Sequence, residues 1–470
     1  MQYHSTRGEA PSLNFIDATL AGLARDGGLY VPDTYPVFTP DRIAGLAGKP
    51  YAEVAAEVIA PFVGSSLPAA ELGRMTREAY ATFRHPAVTP LTQVSSNTFV
   101  LELFHGPTLA FKDLAMQLLA RLMDRALEER GDRATIVVAT SGDTGGAAVE
   151  AFRGAKRIDL VVLYPHGRIS DVQRRMMTTP ADANVHAVAV DGTFDDCQAL
   201  VKALFNHHAF RDRVRLSAVN SINWARIVAQ VVYYFVAAVA LGAPHRKVSF
   251  TVPTGNFGDI FAGYVAQQMG LPIERLVIAT NQNDILARTL ASGAYETREV
   301  LPSSSPSMDI QVSSNFERLL FDAYGRDAAQ VRGLMGNLSQ SGNFSIASPA
   351  LAKIRENFSA ARADEDETAA VIRTVKREAD YLTDPHTAVA LAVAEKETHG
   401  ETPMVVLSTA HPAKFPDAVK AACGIWPALP EWLGDLNSAP ERITRMANDQ
   451  AELEKFVVGV SRITQEGNAA

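Results

Sequence analysis

Two hydrophobic periodicities alternate along most of the chain. Short β-branched runs at Thr135–Val138, Asp159–Leu163, Val185–Val190, Val248–Val252, Leu276–Ala279 and Val405–Leu407 predict buried strands. Between them, apolar residues recur at three- and four-residue spacing, as at Leu114, Leu118, Leu119, Leu122 and Leu127, which predicts helices. Apolar strands separated by helices imply an α/β fold, a mostly parallel sheet system covered on both faces. The first ninety or so residues differ, with Pro-rich turns at Pro32, Pro36, Pro40 and Pro50, helical stretches and few strands. The expected organisation is an N-terminal domain over 1–92, an α/β body over 93–430 with a smaller lobe near 95–215, and a C-terminal helical segment over 431–470. A turn-rich Ser303–Ser307 loop leads toward a charged, solvated helical layer over Asp364–Asp380.

Composition narrows the function classes. Nearly half of the 470 residues are apolar, enough for a large core, and the formal net charge is −8. A mildly acidic chain without basic runs lacks the clustered cations that nucleic-acid binding needs. Cys197 and Cys423 stand far apart in no metal-ligand spacing, so neither a disulfide framework nor a metal site is expected. The opening MQYHSTRGEAPSLNF lacks the apolar core of a secretory signal. Ile227–Leu241 is the most membrane-like stretch, but it is short and contains Gln230, so a buried helix is predicted. A cytoplasmic protein without membrane or nucleic-acid partners is the expectation.

Three segments carry candidate chemistry. Lys112 lies among Leu109, Ala110, Phe111, Leu114 and Ala115. An amine in apolar surroundings loses solvation of its charged form and becomes nucleophilic toward an aldehyde, although a lysine snorkelling from a helix start has the same local pattern. Thr135–Arg153 reads as a strand, a loop with Gly142, Gly145 and Gly146, and a small-residue helix. The device recurs at Val248–Gln268, where Gly255, Asn256 and Gly258 precede a helix expected near Ile260. Glycines permit close backbone approach, and the free N–H groups of a helix start attract phosphate or carboxylate. The first loop has neither P-loop nor GxGxxG spacing. Two anion-competent turns and an apolar lysine fit pyridoxal phosphate, which carries one phosphate and one aldehyde, together with an anionic substrate. Thr409, just after the strand Val405–Leu407, is placed to meet a ring nitrogen or to cap the next turn.

The ordered motifs HGPTLAFKD, TSGDTGG, PTGNFGD and STAHP resemble those of the bacterial and fungal threonine synthases. So do YHSTRG at 3–8, GLARDGGLYVP at 22–32, ATNQND at 279–284, SPSMDIQVSSNFER at 305–318 and DPHTA at 384–388. The resemblance spans nearly the whole chain. It implies a fold-type-II pyridoxal-phosphate enzyme, related to the tryptophan synthase β subunit, that converts O-phospho-L-homoserine and water to L-threonine and phosphate. It implies that Lys112 carries the cofactor as an internal aldimine. Gly255, Asn256, Phe257, Gly258 and Asp259 would form the cofactor-phosphate loop, with Asp259 alternatively a helix cap, and Thr409 would bond the pyridine nitrogen. Ser141, Asp143, Thr144, Asn220, Ser221 and Arg226 would bind the substrate carboxylate and phosphate, Arg226 being the phosphate-facing cation because its planar fork suits phosphate oxygens. The motifs give no role to His105, Asn281, Asn283, Asn315 or His386. A monomer without the S-adenosylmethionine control of plant enzymes is also implied. The alternatives are a related dehydratase or phospho-lyase acting on serine, threonine or O-phosphothreonine, and a catalytically silent cofactor-binding homologue.

Overall fold

The computed structural model describes residues 1–397 and 400–467. Two sheets organise the body. The larger has six strands in the order Phe358–Arg362, Ile273–Thr280, Val248–Pro253, Met404–Ser408, Thr98–Glu102 and Leu91–Gln93. All neighbours are parallel except the last pair. The smaller sheet is parallel throughout, in the order Thr444–Ala447, Val185–Asp191, Ile158–Pro165, Ala134–Ala139 and Leu216–Ser217. Helices cover both faces, so central strands such as Ile158–Pro165 are buried along their whole length. That is why they read as unbroken apolar runs rather than as an alternation.

The helix Trp224–Ala240 is buried on nearly every side, Gln230 included, as its composition predicted. No helix among the described residues is long and apolar enough to cross a membrane. The N-terminal segment contributes two three-residue strands, Tyr3–Ser5 and Tyr30–Pro32, paired antiparallel. Its helices Tyr51–Val63 and Ala69–Tyr80 share one core with Lys112–Glu129 and Trp224–Ala240. The helix Glu365–Ala379 has a capping box at Asp364 and Glu367 and buries Thr368, Val371, Ile372 and Val375 along one face. Its other face carries the charges of the expected solvated layer.

Two expected boundaries need correction. Thr98–Glu102 falls inside the expected smaller lobe near 95–215, yet it pairs with Met404–Ser408 in the larger sheet. Its apolar run predicts burial but cannot choose a partner some three hundred residues away. Residues 431–470 are not wholly helical, because Thr444–Ala447 joins the edge of the smaller sheet against Val185–Asp191. This strand is only four residues long, and just Met446 within it is buried, so its period is too short to register. The helix Gln450–Val460 that follows buries Leu453 and Val457 on the same lobe.

Candidate active site

Four loops converge, and each leaves the C-terminal end of a parallel strand, where open α/β sheets bind ligands. The loop after Thr98–Glu102 carries Lys112. Gly106 is obligatory there, because a Cβ would lie 2.6 Å from the side chain of Asp113. Asp113 accepts hydrogen bonds from the Thr108 amide and hydroxyl, both at 2.7 Å. Burial nonetheless pushes its carboxyl up to about 6. Phe111 donates its amide to the Thr409 carbonyl at 2.9 Å, and His411 donates to the Leu109 carbonyl at 3.0 Å. The lysine loop is thereby sewn to the segment after Met404–Ser408.

Lys112 opens the helix Lys112–Glu129 with its side chain nearly covered. Its Nζ lies 3.3 Å from Asp143 Oδ2 and 4.8 Å from the centre of the Phe111 ring. Burial lowers its pKa and the Asp143 carboxylate opposes this, while the nearby Lys414 and Arg226 cations reinforce the fall. The amine is thus biased toward its nucleophilic form.

Asp143 heads the helix Asp143–Phe152, after the strand Ala134–Ala139. The Thr140 hydroxyl accepts from the amides of Gly142 at 2.9 Å and Gly145 at 2.8 Å, which fixes the Ser141–Thr144 turn. Asp143 is buried and bridges two lysines, with Lys414 Nζ at 2.8 Å from Oδ1. Gln173 donates to the same oxygen at 3.0 Å. Burial disfavours this charge, but the Lys414 and Lys112 ammonium groups outweigh it and hold the carboxyl well below the usual range.

The third loop follows Val248–Pro253. A Cβ on Gly255 would meet the Ser307 carbonyl oxygen at 2.6 Å, so only glycine fits. The Gly255 carbonyl accepts from the Ser313 hydroxyl at 2.7 Å, and the Asn256 carbonyl accepts from the Asn315 amide and Nδ2. The carbonyls are committed, while the first N–H groups of the helix Gly258–Gln268 have no intrahelical partner. That helix begins two residues before the expected Ile260.

Two residues of this loop need reinterpretation. Phe257 has φ of 64° and a buried ring packed on Phe316 and Phe358, so it offers its backbone alone. Asp259 does not cap the helix. Its Oδ1 accepts from the Tyr233 and Tyr234 hydroxyls, and its Oδ2 has no partner among the described residues. Burial pushes this carboxyl up to about 6.

Arg226 lies in the first turn of Trp224–Ala240, where Asn223 accepts from the Ala225 amide at 3.1 Å and caps the helix. It is 2% exposed. Nη1 donates to the Val219 carbonyl at 3.2 Å, Nε has no partner, and no carboxylate pairs with it among the described residues. Burial lowers its pKa to about 10, which leaves it charged at neutral pH.

All the site residues expected from the sequence line one cavity of about 690 Å³. These are Lys112, Ser141, Asp143, Thr144, Asn220, Ser221, Arg226, residues 255–259 and Thr409. The amine, the uncommitted helix-start amides, the close backbone approach at Gly255 and the unpaired Arg226 Nε form a donor set suited to pyridoxal phosphate and a second anion. His386 also lines the cavity, with Nδ1 at 2.8 Å from Asp384 and Nε2 accepting from the Ser307 amide. Asn315 supports the loop through the Asn256 carbonyl, and Arg318 binds Asn315 and the carbonyls of Tyr30 and Ile222. His105 pairs with Glu102 at 2.6 Å, while Asn281 and Asn283 bond Asp309. None of these three lines the cavity. Lys414 and Gln173 are the residues that the sequence reading missed. Lys414 sits among Pro412, Ala413, Phe415 and Pro416, the same apolar-flanked signal that singles out Lys112.

Three family models divide the chain. Threonine synthase N terminus matches residues 2–80, Pyridoxal-phosphate dependent enzyme matches 82–334, and Threonine synthase, C-terminal matches 387–457. A threonine synthase from Pseudomonas aeruginosa is 51% identical over 100% of this chain and 99% of its own length. The crystal structure of a threonine synthase from Brucella melitensis with bound pyridoxal phosphate is 63% identical, with a TM-score of 0.96 over 98% of this chain and 100% of that one. The yeast threonine synthase structure is 38% identical, with a TM-score of 0.92 over 99% of both chains. The chain belongs to the threonine synthase family of pyridoxal-phosphate-dependent lyases.

Proposed function

We propose that this cavity converts O-phospho-L-homoserine and water to L-threonine and phosphate with the residues in the following roles. Lys112 carries the cofactor, which when bound supplies a conjugated ring that accepts the electron pair left at the substrate Cα. Once displaced by the substrate amine, Lys112 acts as the base that takes the Cα proton, and its covered amine, whose pKa burial lowers, suits that task. A Cβ proton is then lost and phosphate departs from Cγ with its electron pair. Cγ gains a proton in place of the phosphate, the oxygen of water adds at Cβ as hydroxyl with release of its proton, and Cα regains its proton.

The observation that carries this reading is Arg226, a buried guanidinium on the cavity that holds Lys112, with no carboxylate partner among the described residues. A buried cation without a counter-ion is costly unless a ligand supplies the anion. Arg226, with Asn220 and Ser221, holds the substrate phosphate. The Ser141–Thr144 turn takes the carboxylate through its helix-start amides. The amides of residues 255–259 cradle the cofactor phosphate, and Thr409 presents a neutral hydroxyl to the ring nitrogen. Closure around the substrate keeps stray water from the intermediates. The reading further includes a monomer and a cytoplasmic setting, whose reducing conditions suit the free Cys197 and Cys423.

Incubating the cofactor-loaded protein with O-phospho-L-homoserine is expected to release threonine and inorganic phosphate in equal amounts. Formation of 2-oxobutyrate as the sole organic product would replace this reading with the lyase alternative.

A further inference from the structure

Lys414 is 1% exposed, and its ammonium binds two groups that belong to different loops of the site. One is Asp143 Oδ1 at 2.8 Å, and the other is the Thr108 carbonyl at 2.8 Å. Asp143 touches Lys112 at the longer distance of 3.3 Å through its other oxygen. The carboxylate therefore has a nearer cation than the lysine expected to do the chemistry. A buried carboxylate that depended on Lys112 alone would lose its counter-charge whenever that amine became neutral or was bonded to the cofactor, and a lone buried charge is strongly disfavoured.

We propose that Lys414 is a positioning residue for the reaction: it supplies the permanent counter-cation of Asp143 and leaves the Lys112 amine free to lose its charge. The inference rests on Lys112 as the cofactor-bearing lysine.

The charged groups around this cluster act together. Lys112 faces Asp143, Lys414 and Arg226, and it also influences Asp259 on the helix Gly258–Gln268. Asp143 faces both lysines and His386, and it takes a neutral hydrogen bond from Gln173. Lys414 additionally faces Asp113 and His411. Removing the Lys414 charge takes away a repulsion at Lys112 and leaves Asp143 with Lys112 as its nearest cation. Both effects favour the protonated nitrogen on Lys112. Through the Thr108 carbonyl, Lys414 also ties the turn that Asp113 organises to the start of the helix Asp143–Phe152.

The test is a spectroscopic pH titration of the absorption band of the lysine–cofactor linkage in the substrate-free holoenzyme. In Lys414→Met the transition is expected to move to higher pH by about one unit, as loss of one nearby like charge implies. In Lys414→Arg, which keeps the charge, it should stay at its parent value. The rising limb of the kcat/KM pH profile should move in the same direction in Lys414→Met. Lys414→Gln keeps a donor for the Thr108 carbonyl without the charge and gives the same readout if the methionine variant does not accumulate folded. The converse variant, Asp143→Asn, should move the transition to lower pH. A transition that stays at the parent pH in Lys414→Met or Lys414→Gln, or that moves equally in Lys414→Arg, overturns the proposal. The reading on which it rests fails differently: the linkage band would then persist in Lys112→Ala.

Discussion

Arg226→Met separates stability from function at one position. The parent guanidinium is 2% exposed, and burial lowers its pKa from the usual arginine range to about 10. At about 1.4 kcal/mol per pH unit, that fall corresponds to roughly 3 kcal/mol of unfavourable desolvation in the folded state. The compensating contact among the described residues is a hydrogen bond to the Val219 carbonyl, and such a bond contributes about 1 kcal/mol. An apolar side chain of similar length removes both, so the substrate-free variant is expected to be more stable by about 2 kcal/mol, within the range seen when buried charges are replaced by hydrophobes. Binding should change in the opposite sense. A charge-assisted hydrogen bond to phosphate is worth about 1.5–3 kcal/mol, so kcat/KM for the phosphorylated substrate should fall by roughly 10- to 150-fold. Urea unfolding of the holoenzyme gives the first quantity and steady-state kinetics the second. A further control is the stabilisation of the protein by added inorganic phosphate, which should be present in the parent and lost in the variant. A variant that is destabilised while retaining parental kcat/KM would show Arg226 to be structural. One that loses cofactor affinity instead would move the cation to the cofactor phosphate.

Two other outcomes follow from the same geometry. Gly255→Ala places a Cβ 2.6 Å from the Ser307 carbonyl; the loop must shift, and equilibrium dialysis should show cofactor affinity reduced by about tenfold or more, as about 1.4 kcal/mol of lost binding implies, with far-UV circular dichroism unchanged. Asp259 has a carboxyl raised from 3.8 to about 6, so the folded state keeps this proton after the unfolded state has released it. Its contribution to stability is complete below about pH 4 and is lost as pH rises through about 6. Asp259→Asn should therefore be less sensitive than the parent to a change from pH 4.5 to 7 in urea titrations, and an identical dependence in both proteins would count against the raised value.

The elements that the sequence disclosed are those whose evidence is local. The strand Ile158–Pro165 is apolar throughout because both of its faces are covered, and Lys112 stands out because its neighbours are apolar. The motifs after the strands Ala134–Ala139 and Val248–Pro253 combine glycine with a helix start, which is chemistry readable within ten residues. What escaped was nonlocal. Pairing Asp143 with Lys414 requires segments some 270 positions apart to meet. Asn315 supports the Asn256 carbonyl through a fold-level contact that no spacing reveals. Phe257 looked like part of a binding loop because of its neighbours, but its ring had to leave the loop to fill the gap between Phe316 and Phe358. Asp259 stood where a helix cap belongs, and two buried tyrosine hydroxyls took its carboxylate instead.

Arg318 has a consequence for how the chain can be divided. Its guanidinium is fully buried and donates to the Tyr30 carbonyl through both Nε and Nη2, while the same group binds Ile222 and Asn315 beside the cavity. A chain beginning at residue 93 would leave Nε of this cation without its acceptor and Nη2 with only the Ile222 carbonyl, next to the residue that steadies the loop around Gly255. The boundary near residue 92 is therefore a seam in sequence across which folding is continuous. A graft that exchanges the first ninety residues with those of a relative must carry the Tyr30 carbonyl in register, or the damage will surface as a loose cofactor rather than as a loose terminus.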